Sequence, residues 1–349
     1  MNKRPPRNGE QIKKTINTLL VDGNSLFKVA YFGAKDQYNS EGRHIGGIYQ
    51  FLTTLRKVLT EDLYHRVYVF WDGNMSGKLR YEIYEPYKSG RGKDYINGTY
   101  PTDESELEQR AVVWEYLNEM YVRQIRHEVV ESDDFIAYYC LNKAPNEKIT
   151  ILSGDRDFLQ LINEDVKIYF IDLKQIVDIN NYSSYFRYHP SNSVLIKTMT
   201  GDVSDSIKGI KGLGQSKLLS LFPDLVTQTL TLENVIELAK QQKQQRILDK
   251  KKPLKILDNI INKVTDGPQK EMIYEINNRL VNLRYPMITD DAIQELEALK
   301  QGTLDDSERE LKNVYAMMKR DGLDKAIGET RYPEYLLPFK KLISRENIF

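Results

Sequence analysis

The chain has 349 residues and a mass of 40.8 kDa, and its 50 basic residues balance 50 acidic residues. This length allows one large domain or two, and the single cysteine, Cys140, excludes an internal disulfide. A mean hydropathy of −0.54, the lack of a long uncharged apolar run and the polar start MNKRPPRNGEQIKK argue against a membrane span and a signal peptide, so we expect a cytoplasmic protein.

The first part of the chain reads as a βαβ unit. Residues 1–17 are predicted to form a flexible polar arm. The run TINTLLVD predicts a buried strand, and SLFKVAYF predicts a helix that is capped by Asn24 or Ser25. The segment GGIYQFLTTLRKVLTEDL has apolar residues at helical spacing and leads into a second strand, RVYVFWD.

The pattern then breaks from about residue 73 to 101, which predicts a long insertion. The segments PTDESELEQRAVVWEYLNEM, SDDFIAYYCLNK, DRDFLQLI and SNSVLIKTMTGD predict helices, whereas KITILS and VKIYFID predict strands. KGIKGLG is too rich in glycine for a helix, and the rest of the chain is mostly helical in pattern. The alternation predicts an α/β fold with a mainly parallel central sheet flanked by helices.

Acidic residues follow the ends of these apolar runs. Parallel strands end at one edge of their sheet, so we expect the carboxylates to converge there. Two like charges about 4 Å apart repel by roughly 4 kcal/mol at an effective dielectric near 20, which predicts cations among them. Oxygen ligands favour Mg²⁺ or Mn²⁺. The carboxylates are Asp22, Asp72, Glu131, Asp133, Asp134, Asp155, Asp157, Asp202 and Asp205.

The motifs VDG, FWDG, ESDD, SGDRD, GDVSD and GIKGLG occur in an order that resembles the 5′-nuclease family. This family comprises flap endonucleases, the 5′-nuclease domain of bacterial DNA polymerase I and phage exonucleases. The length, the N-terminal arm and the spacing from Asp72 to Arg80 and Lys88 look most like a phage enzyme similar to the ribonuclease H of T-even phages. The resemblance implies a PIN-like nuclease core over residues 18–205 that includes a helical arch at about 73–101. It also implies a helix–three-turn–helix and a helical DNA-binding region over residues 206–349.

The same resemblance implies two Mg²⁺ ions, replaceable by Mn²⁺, and hydrolysis of phosphodiesters by two-metal catalysis. Asp22, Asp72, Glu131, Asp133 and Asp155 match the inner metal cluster, and Asp72 and Asp155 are the catalytic acids among them. The outer cluster matches Asp157, Asp202 and Asp205, with Asp134 between the two clusters. The residues alone leave another reading open, because a single aspartate at a strand end also serves as a helix cap.

Basic residues in the insertion match the base of the arch. The resemblance implies that Arg80 and Lys88 hold the scissile phosphate and that Arg91 contacts DNA. Three tyrosines lie between them, and they either stack on bases or pack beneath a solvated loop. These tyrosines are Tyr81, Tyr84 and Tyr87.

The segment GDVSDSIKGIKGLGQSK resembles the family's helix–three-turn–helix. Glycines there would expose backbone groups to a duplex phosphate, directly or through a bound K⁺ ion, without reading base sequence. A plain helix–helix turn is the alternative. The predicted DNA-binding residues are Lys208, Gly209, Lys211, Gly212, Gly214 and Lys217.

The resemblance implies a structure-selective 5′-3′ exonuclease or flap endonuclease that removes RNA primers and 5′ flaps in replication or repair. Its partners would be branched or nicked duplex DNA and RNA–DNA hybrids with 5′ ends, and we expect a monomer. The apolar residues of the tail FKKLISRENIF either pack on the domain or dock a sliding clamp or single-strand-binding protein. The alternatives are a PIN-type ribonuclease, which lacks the glycine turn, and a non-catalytic branched-DNA binder, which has no use for crowded acids.

Overall fold

The computed structural model describes residues 15–92, 103–302, 311–328 and 331–346. Six strands form a central sheet in the order β3-β2-β1-β4-β5-β6. All neighbouring strands are parallel except β5 and β6, which are antiparallel. The strands are β1 (Ile16–Asp22), β2 (Arg66–Asp72), β3 (Arg123–His127), β4 (Glu147–Ser153), β5 (Val166–Phe170) and β6 (Gln175–Val177).

Strand order reverses between β1 and β4, because the chain runs outward from β1 through β2 to β3 and then returns to the far side of β1. In an open α/β sheet such a reversal leaves a crevice beyond the carboxyl ends of the two strands, where ligands bind. Asp22 is the last residue of β1, and Asp155 follows β4 by two residues. The fold therefore brings sequence-distant acids to this crevice.

Helices cover both faces of the sheet and form the C-terminal third. A short antiparallel hairpin, β7 (Gly201–Asp202) and β8 (Ile207–Lys208), follows the sixth helix. The helices are α1 (Gly23–Gly33), α2 (Gly46–Glu61), α3 (Lys78–Tyr81), α4 (Glu104–Glu119), α5 (Ser132–Leu141), α6 (Ser193–Thr200), α7 (Gln215–Leu221), α8 (Leu232–Leu248), α9 (Lys255–Ile261), α10 (Ile273–Val281), α11 (Asp290–Gln301), α12 (Leu311–Asp321), α13 (Leu323–Ile327) and α14 (Tyr332–Glu346).

Alternating residues of the strands enter two separate cores. In β1, Leu19 and Val21 pack on the face that is covered by α1, α2 and the last helices, whereas Leu20 packs with α5 on the opposite face. In β2, Val69 and Phe70 divide in the same way. The period of two thus places apolar side chains on both faces, as expected of a parallel sheet that is buried on both sides.

The predicted strands β1, β2, β4 and β5 are confirmed, but two strands of the central sheet and the two short strands of the hairpin, β7 and β8, were missed. The edge strand β3 has the sequence RQIRH, which lacks the apolar run that predicts a strand. Strand β6 has only three residues. The segment DRDFLQLI forms a 3-10 helix over Arg156–Leu161 instead of an α-helix. The predicted caps of α1 are also wrong, since Asp22 itself caps this helix.

The sequence prediction of an N-terminal arm falls largely on residues 1–14, which lie outside the described residues, and residues 16 and 17 belong to β1. Of the predicted arch, residues 93–101 lie outside them too. The described part of that insertion, residues 73–92, contains α3 and the 3-10 helix Ser89–Arg91. Within the described ranges, no helix has the length and apolarity needed to cross a membrane.

Candidate active site

Four carboxylates converge beyond the ends of β1, β2 and β4. Burial, together with repulsion from Asp72 and Asp155, raises the pKa of Asp22 to about 7. Burial also raises the pKa of Asp133 well above its usual range, with repulsion from Asp22, Asp155, Asp72 and Glu131. Since repulsion of this kind falls off with distance, these acids form one cluster with Glu131.

Backbone caps hold three of these acids in place. Asp22 Oδ1 accepts a hydrogen bond from the Ser25 amide at 3.0 Å, and its Oδ2 accepts one from Ser153 Oγ at 2.8 Å. Asp72 Oδ1 accepts from the Ser132 amide at 2.9 Å. Asp155 similarly accepts from an amide in the 3-10 helix that it caps. Asp22 is therefore both a helix cap and a member of the cluster, so the two readings of this residue do not exclude each other.

Glu131 is enclosed by three side chains from the insertion. Arg80 Nη1 donates to Glu131 Oε2 at 2.6 Å, Tyr87 OH donates to the same oxygen at 3.0 Å, and Lys88 Nζ pairs with Oε1. Burial alone would lower the pKa of Lys88, but the negative charge of Glu131 raises it well above its ordinary value. The lysine is therefore held as a cation beside the acid cluster.

Asp134 is predicted to be a metal ligand between the two clusters, and in the structure its side chain binds other protein groups. It is fully buried, and both of its oxygens are occupied. Arg80 donates to Oδ2 at 2.5 Å and to Oδ1 at 2.9 Å, and the Met287 amide donates to Oδ1 at 2.9 Å. Asp134 thus anchors Arg80.

Arg80 is predicted to hold the scissile phosphate, and in the structure its side chain also binds protein groups. Its Nε donates to the Leu280 carbonyl at 2.9 Å, while its other nitrogens bind Asp134 and Glu131. Only 5% of the residue is exposed, so its guanidinium is enclosed by these protein groups in the structure. Arg80 instead joins the base of the insertion to the acid cluster and to the C-terminal third.

The tyrosines of the insertion are mostly packed beneath it. Tyr84 and Tyr87 are buried and form a small core with Ile207 and Leu280, so they do not offer rings for base stacking. Tyr81 is partly exposed. The packing alternative is therefore correct for two of the three tyrosines.

A second group of acids surrounds Lys197, a residue that the sequence analysis missed. Its Nζ lies 2.6 Å from Asp202 Oδ2 and also pairs with Asp157. Burial opposes ionisation of Asp202, but Lys197 and Ser204 outweigh this effect and lower its pKa to about 2. Lys197 is the only charged residue of α6, and this isolated charge was the signal in the sequence that could have identified it.

The other members of this outer group have different surroundings. Burial and the charge of Asp155 raise the pKa of Asp157 to about 7 despite its contact with Lys197. Asp202 lies in β7, and Asp205 lies in the turn of the hairpin. Arg91 Nη2 binds Asp205 Oδ1 at 2.7 Å, so this predicted DNA contact faces an acid in the structure.

The glycine turn exposes some of its residues and packs others. Gly212 and Gly214 are exposed, and a β-carbon at either would meet open space. Gly212 has a φ of 76°, which favours glycine. A β-carbon on Gly209, by contrast, would lie 2.1 Å from the Thr200 carbonyl carbon, so Gly209 serves close packing.

The lysines of the turn are exposed at the same surface. Lys211 Nζ lies 2.8 Å from Asp266, and Lys217 Nζ donates to the Gly212 carbonyl at 2.9 Å. The Lys208 side chain is exposed, while its carbonyl accepts hydrogen bonds from the C-terminal third. The turn thus presents cations around two exposed glycines.

The C-terminal third supports the site in a way that the sequence did not indicate. Gln160, in the 3-10 helix after Asp155, donates to the Val281 carbonyl at 3.0 Å and accepts from the Leu283 amide at 2.8 Å. Asn277 is fully buried and donates to the Thr198 and Lys208 carbonyls at 3.0 and 2.8 Å. These contacts fix α10 against both acid groups.

Among the residues that the structure describes, no three Asp, Glu, His or Cys side chains are arranged around one point as ready metal ligands. Protein cations lie among the acids instead, with Lys88 and Arg80 at Glu131 and Lys197 between Asp157 and Asp202. The assignment of metal ligands therefore stays a prediction.

A model of the 5′-3′ exonuclease N-terminal, resolvase-like domain matches residues 17–187. The chain is 29% identical over 264 residues to a 5′-3′ exonuclease of Mycoplasmopsis pulmonis, which covers 74% of this chain and 84% of that protein. Residues 17–187 of the chain thus belong to the 5′-nuclease family. The chain is also 30% identical over 234 residues to the thermostable DNA polymerase I of Thermus thermophilus. This match covers 66% of the chain but only 26% of that polymerase.

Solved structures confirm the predicted fold of a 5′-nuclease. The T5 5′-exonuclease with bound zinc superposes with a TM-score of 0.62 at 16% identity, over 82% of this chain and 98% of its own. The catalytic core of Rad2 in complex with a DNA substrate gives a TM-score of 0.50 at 16% identity, over 93% and 92% of the two chains. Both the predicted family and the predicted fold class are thus confirmed.

Proposed function

We propose that this 5′-nuclease is a metal-dependent, structure-selective 5′-3′ exonuclease and flap endonuclease that hydrolyses phosphodiesters at DNA and RNA–DNA 5′ ends. The observation that carries the proposal is the convergence of Asp22, Asp72, Asp133 and Asp155 at the reversal of strand order. A protein that only bound DNA would gain nothing from burying carboxylates that repel one another.

The donor set fits hard divalent cations. Every group in the inner cluster is a carboxylate, and Mg²⁺ prefers oxygen ligands of this kind, with Mn²⁺ as a substitute. The raised pKa values of Asp22 and Asp133 arise from burial and mutual repulsion, which bound cations would relieve. Two Mg²⁺ ions, when bound, would generate hydroxide from water and stabilise charge on the attacking and leaving oxygens.

The residues of the two groups then have separate tasks. Asp22, Asp72, Glu131, Asp133 and Asp155 would hold the inner ion. An outer ion would be held more loosely, because Lys197 competes for two of its ligands. The outer ligands would be Asp157, Asp202 and Asp205.

Lys88 is proposed to hold the scissile phosphate. In the structure its Nζ pairs with Glu131, and it reaches the acid cluster from the insertion. A metal ion held by Glu131 would weaken the attraction of this carboxylate for Lys88, and the lysine would then be available to a phosphate oxygen. Arg80 would keep the base of the insertion in position for this transfer, because its own donors are occupied.

The glycine turn is proposed to bind the duplex beside the site. Gly212 and Gly214 expose backbone, and the lysines around them supply charge without base specificity. A K⁺ ion between the turn and a phosphate would fit the same surface. Arg91 would join this interface by leaving Asp205.

At the level of the whole protein, we propose removal of RNA primers and 5′ flaps in replication or repair, in the manner of a phage ribonuclease H. The working unit would be a monomer in the cytoplasm, or the host cytoplasm for a phage protein, with a clamp or single-strand-binding protein as partner. Its domains would be an arm over 1–17, a core over 18–205 and a DNA-binding region over 206–349.

The decisive experiment supplies purified protein and Mg²⁺ with 5′-labelled flap, nicked, blunt duplex and single-stranded substrates. Short labelled products from flaps and nicks, abolished by EDTA and restored by Mg²⁺ or Mn²⁺, are expected. RNA–DNA hybrids with 5′ RNA test the primer-removing role. Tight binding of flaps without any cleavage would overturn the proposal in favour of a branched-DNA binder.

A further inference from the structure

A cavity of about 560 Å³ adjoins the acid cluster on the side of β3. This volume lies within the range of roughly 300–1,000 Å³ that holds small ligands in proteins. Asp72 belongs to both the cluster and the wall of the cavity, so the two are continuous. Residues from the ends of β2 and β3, from the start of α1 and from one face of α4 form the rest of the wall.

The wall contains both tryptophans of the chain, Trp71 and Trp114. Their ring centroids are 6.3 Å apart, and the planes are tilted by 43°. Trp71 is fixed, because it stacks on Phe51 at 5.8 Å and its Nε1 donates to Gln124 Oε1 at 3.0 Å. Trp114 is partly exposed, and Leu107 beside it is 44% exposed. These side chains offer an aromatic and apolar surface to a ligand.

Polar groups complete the wall at the rim and at the base. Arg110 and Arg126 bring positive charge, and Arg126 Nη2 donates to Asn74 Oδ1 at 2.5 Å, which orients its guanidinium. Glu115 also lines the cavity, but it pairs with Arg320 at 3.2 Å. Asn24 Oδ1 is buried and accepts no hydrogen bond from the described residues. A ligand with a flat ring, an anionic group and amine donors would match this combination.

We propose that the cavity binds a nucleotide of the single-stranded 5′ segment, immediately beyond the phosphodiester that is cut. The inference rests on the proposed function, since it needs a strand whose backbone passes the acid cluster. The base would stack on Trp114, which tolerates any base sequence, and the adjoining phosphate would lie near Arg126. Continuity through Asp72 places such a nucleotide beside the scissile bond, so the cavity would select substrates that carry an unpaired 5′ tail.

Because both tryptophans of the chain line this cavity, their fluorescence reports on it directly. The protein is titrated in EDTA, where it cannot use Mg²⁺, with a flap that carries a five-nucleotide 5′ tail and with the matching nick that has no tail. Tail-dependent quenching of tryptophan emission is expected. Equal quenching by the flap and the nick would overturn the inference.

The matched variants are Trp114→Ala, Trp114→Phe and Tyr285→Ala, the last being an aromatic residue that is 68% exposed and does not line the cavity. Trp114→Ala should reduce the ratio of flap affinity to nick affinity by about tenfold, the usual effect of losing one stacked base. Trp114→Phe should restore most of the ratio, and Tyr285→Ala should not alter it. An unchanged ratio in Trp114→Ala would refute the stacking role.

Arg126→Ala provides an independent variant at an exposed position, should Trp114→Ala fail to fold. It should weaken flap binding and reduce the salt slope by about one counterion, with a smaller effect on the nick. Equal weakening of flap and nick binding would overturn the assignment.

Failure of this inference is distinguishable from failure of the proposed function. Wild-type protein that cuts flaps but shows no preference for a tail refutes only the nucleotide pocket. Competition of deoxythymidine monophosphate with the flap would show that the pocket also binds free nucleotides. If there is no competition and the quenching does not depend on the tail, the nucleotide pocket is refuted.

Discussion

Glu131 accepts hydrogen bonds from Arg80, Tyr87 and Lys88 while it remains within reach of the other cluster acids. Of its two cationic partners, Arg80 is tied by further bonds to Asp134 and Leu280, whereas the Lys88 ammonium has only Glu131 as an ion-pair partner among the described residues. At the residue scale, Lys88 is therefore the cation that can exchange an acid for a phosphate.

We expect Lys88→Ala to lower the single-turnover cleavage rate by about 10²-fold, or about 2.7 kcal/mol, and to change flap affinity little. The reason is that a charge on the scissile phosphate acts mainly in the transition state. Rapid-quench cleavage at saturating enzyme measures the rate, and Lys78→Ala is the control because this partly exposed lysine pairs only weakly with Glu82 at 4.0 Å. An unchanged rate with weaker, less salt-dependent binding would mean that Lys88 only contributes to a general basic surface.

A second residue-scale prediction concerns Asp155, whose side chain caps the 3-10 helix and repels Asp22. Asp155→Asn should abolish cleavage and leave flap binding within a few-fold of wild type. Asparagine keeps the cap but removes a charge that the metal chemistry needs, whereas duplex affinity comes from many other contacts. Product formation and fluorescence anisotropy measure the two effects. Near-normal turnover at saturating Mg²⁺ would exclude Asp155 from the site.

At the scale of elements, the glycine turn contains both a closely packed glycine, Gly209, and exposed glycines such as Gly214. Gly209→Ala should destabilise the protein by about 2–4 kcal/mol, since its β-carbon would collide with backbone at Thr200. Gly214→Ala should change the free energy of unfolding by less than about 1 kcal/mol, because the space around it is open. Urea denaturation of the two variants measures the difference. Equal stabilities would mean that the turn can shift to accept a side chain.

The elements also show what the sequence could and could not predict. Apolar runs predicted β1, β2, β4 and β5, because strands that are buried on both faces consist of such runs. The edge strand β3 was not predicted, because a charged strand is recognised only by its pairing with β2. Likewise, motif order identified the acids, but Asp134 and Lys197 depend on partners that only folding brings together. A sequence pattern specifies residue types near a site more readily than it specifies which atoms meet.

At the scale of the whole molecule, the acid cluster makes stability depend on pH. Burial raises the pKa of Asp22 and of Asp157 to about 7, above the value of about 3.9 for an unfolded aspartate. The folded chain thus keeps protons that the unfolded chain releases. The resulting stability is fully present below about pH 4 and is lost as the pH rises to about 7.

In EDTA we therefore expect the free energy of unfolding to fall between about pH 4 and pH 7, by an amount on the order of 4 kcal/mol for one such group. Asp22→Asn should flatten the slope, because asparagine keeps the helix cap without a titrating proton. Mg²⁺ at pH 7 should restore stability to the wild type. Urea titrations at several pH values measure all three, and a stability that rises across this window would contradict the assignment of buried, proton-holding acids.

The central position of β1 has a consequence for the synthesis of the chain. This strand pairs with β2 on one side, but its other neighbour is β4, with Ile16 opposite Glu147 and Asp22 bonded to Ser153. At a translation rate of about 5–20 residues per second, roughly ten seconds separate the emergence of these two strands from the ribosome. During that interval an apolar strand edge has no partner, which is a condition that favours misassociation between nascent chains. The step that pairs β4 with β1 is therefore also the step that joins Asp22 to the loop that carries Asp155.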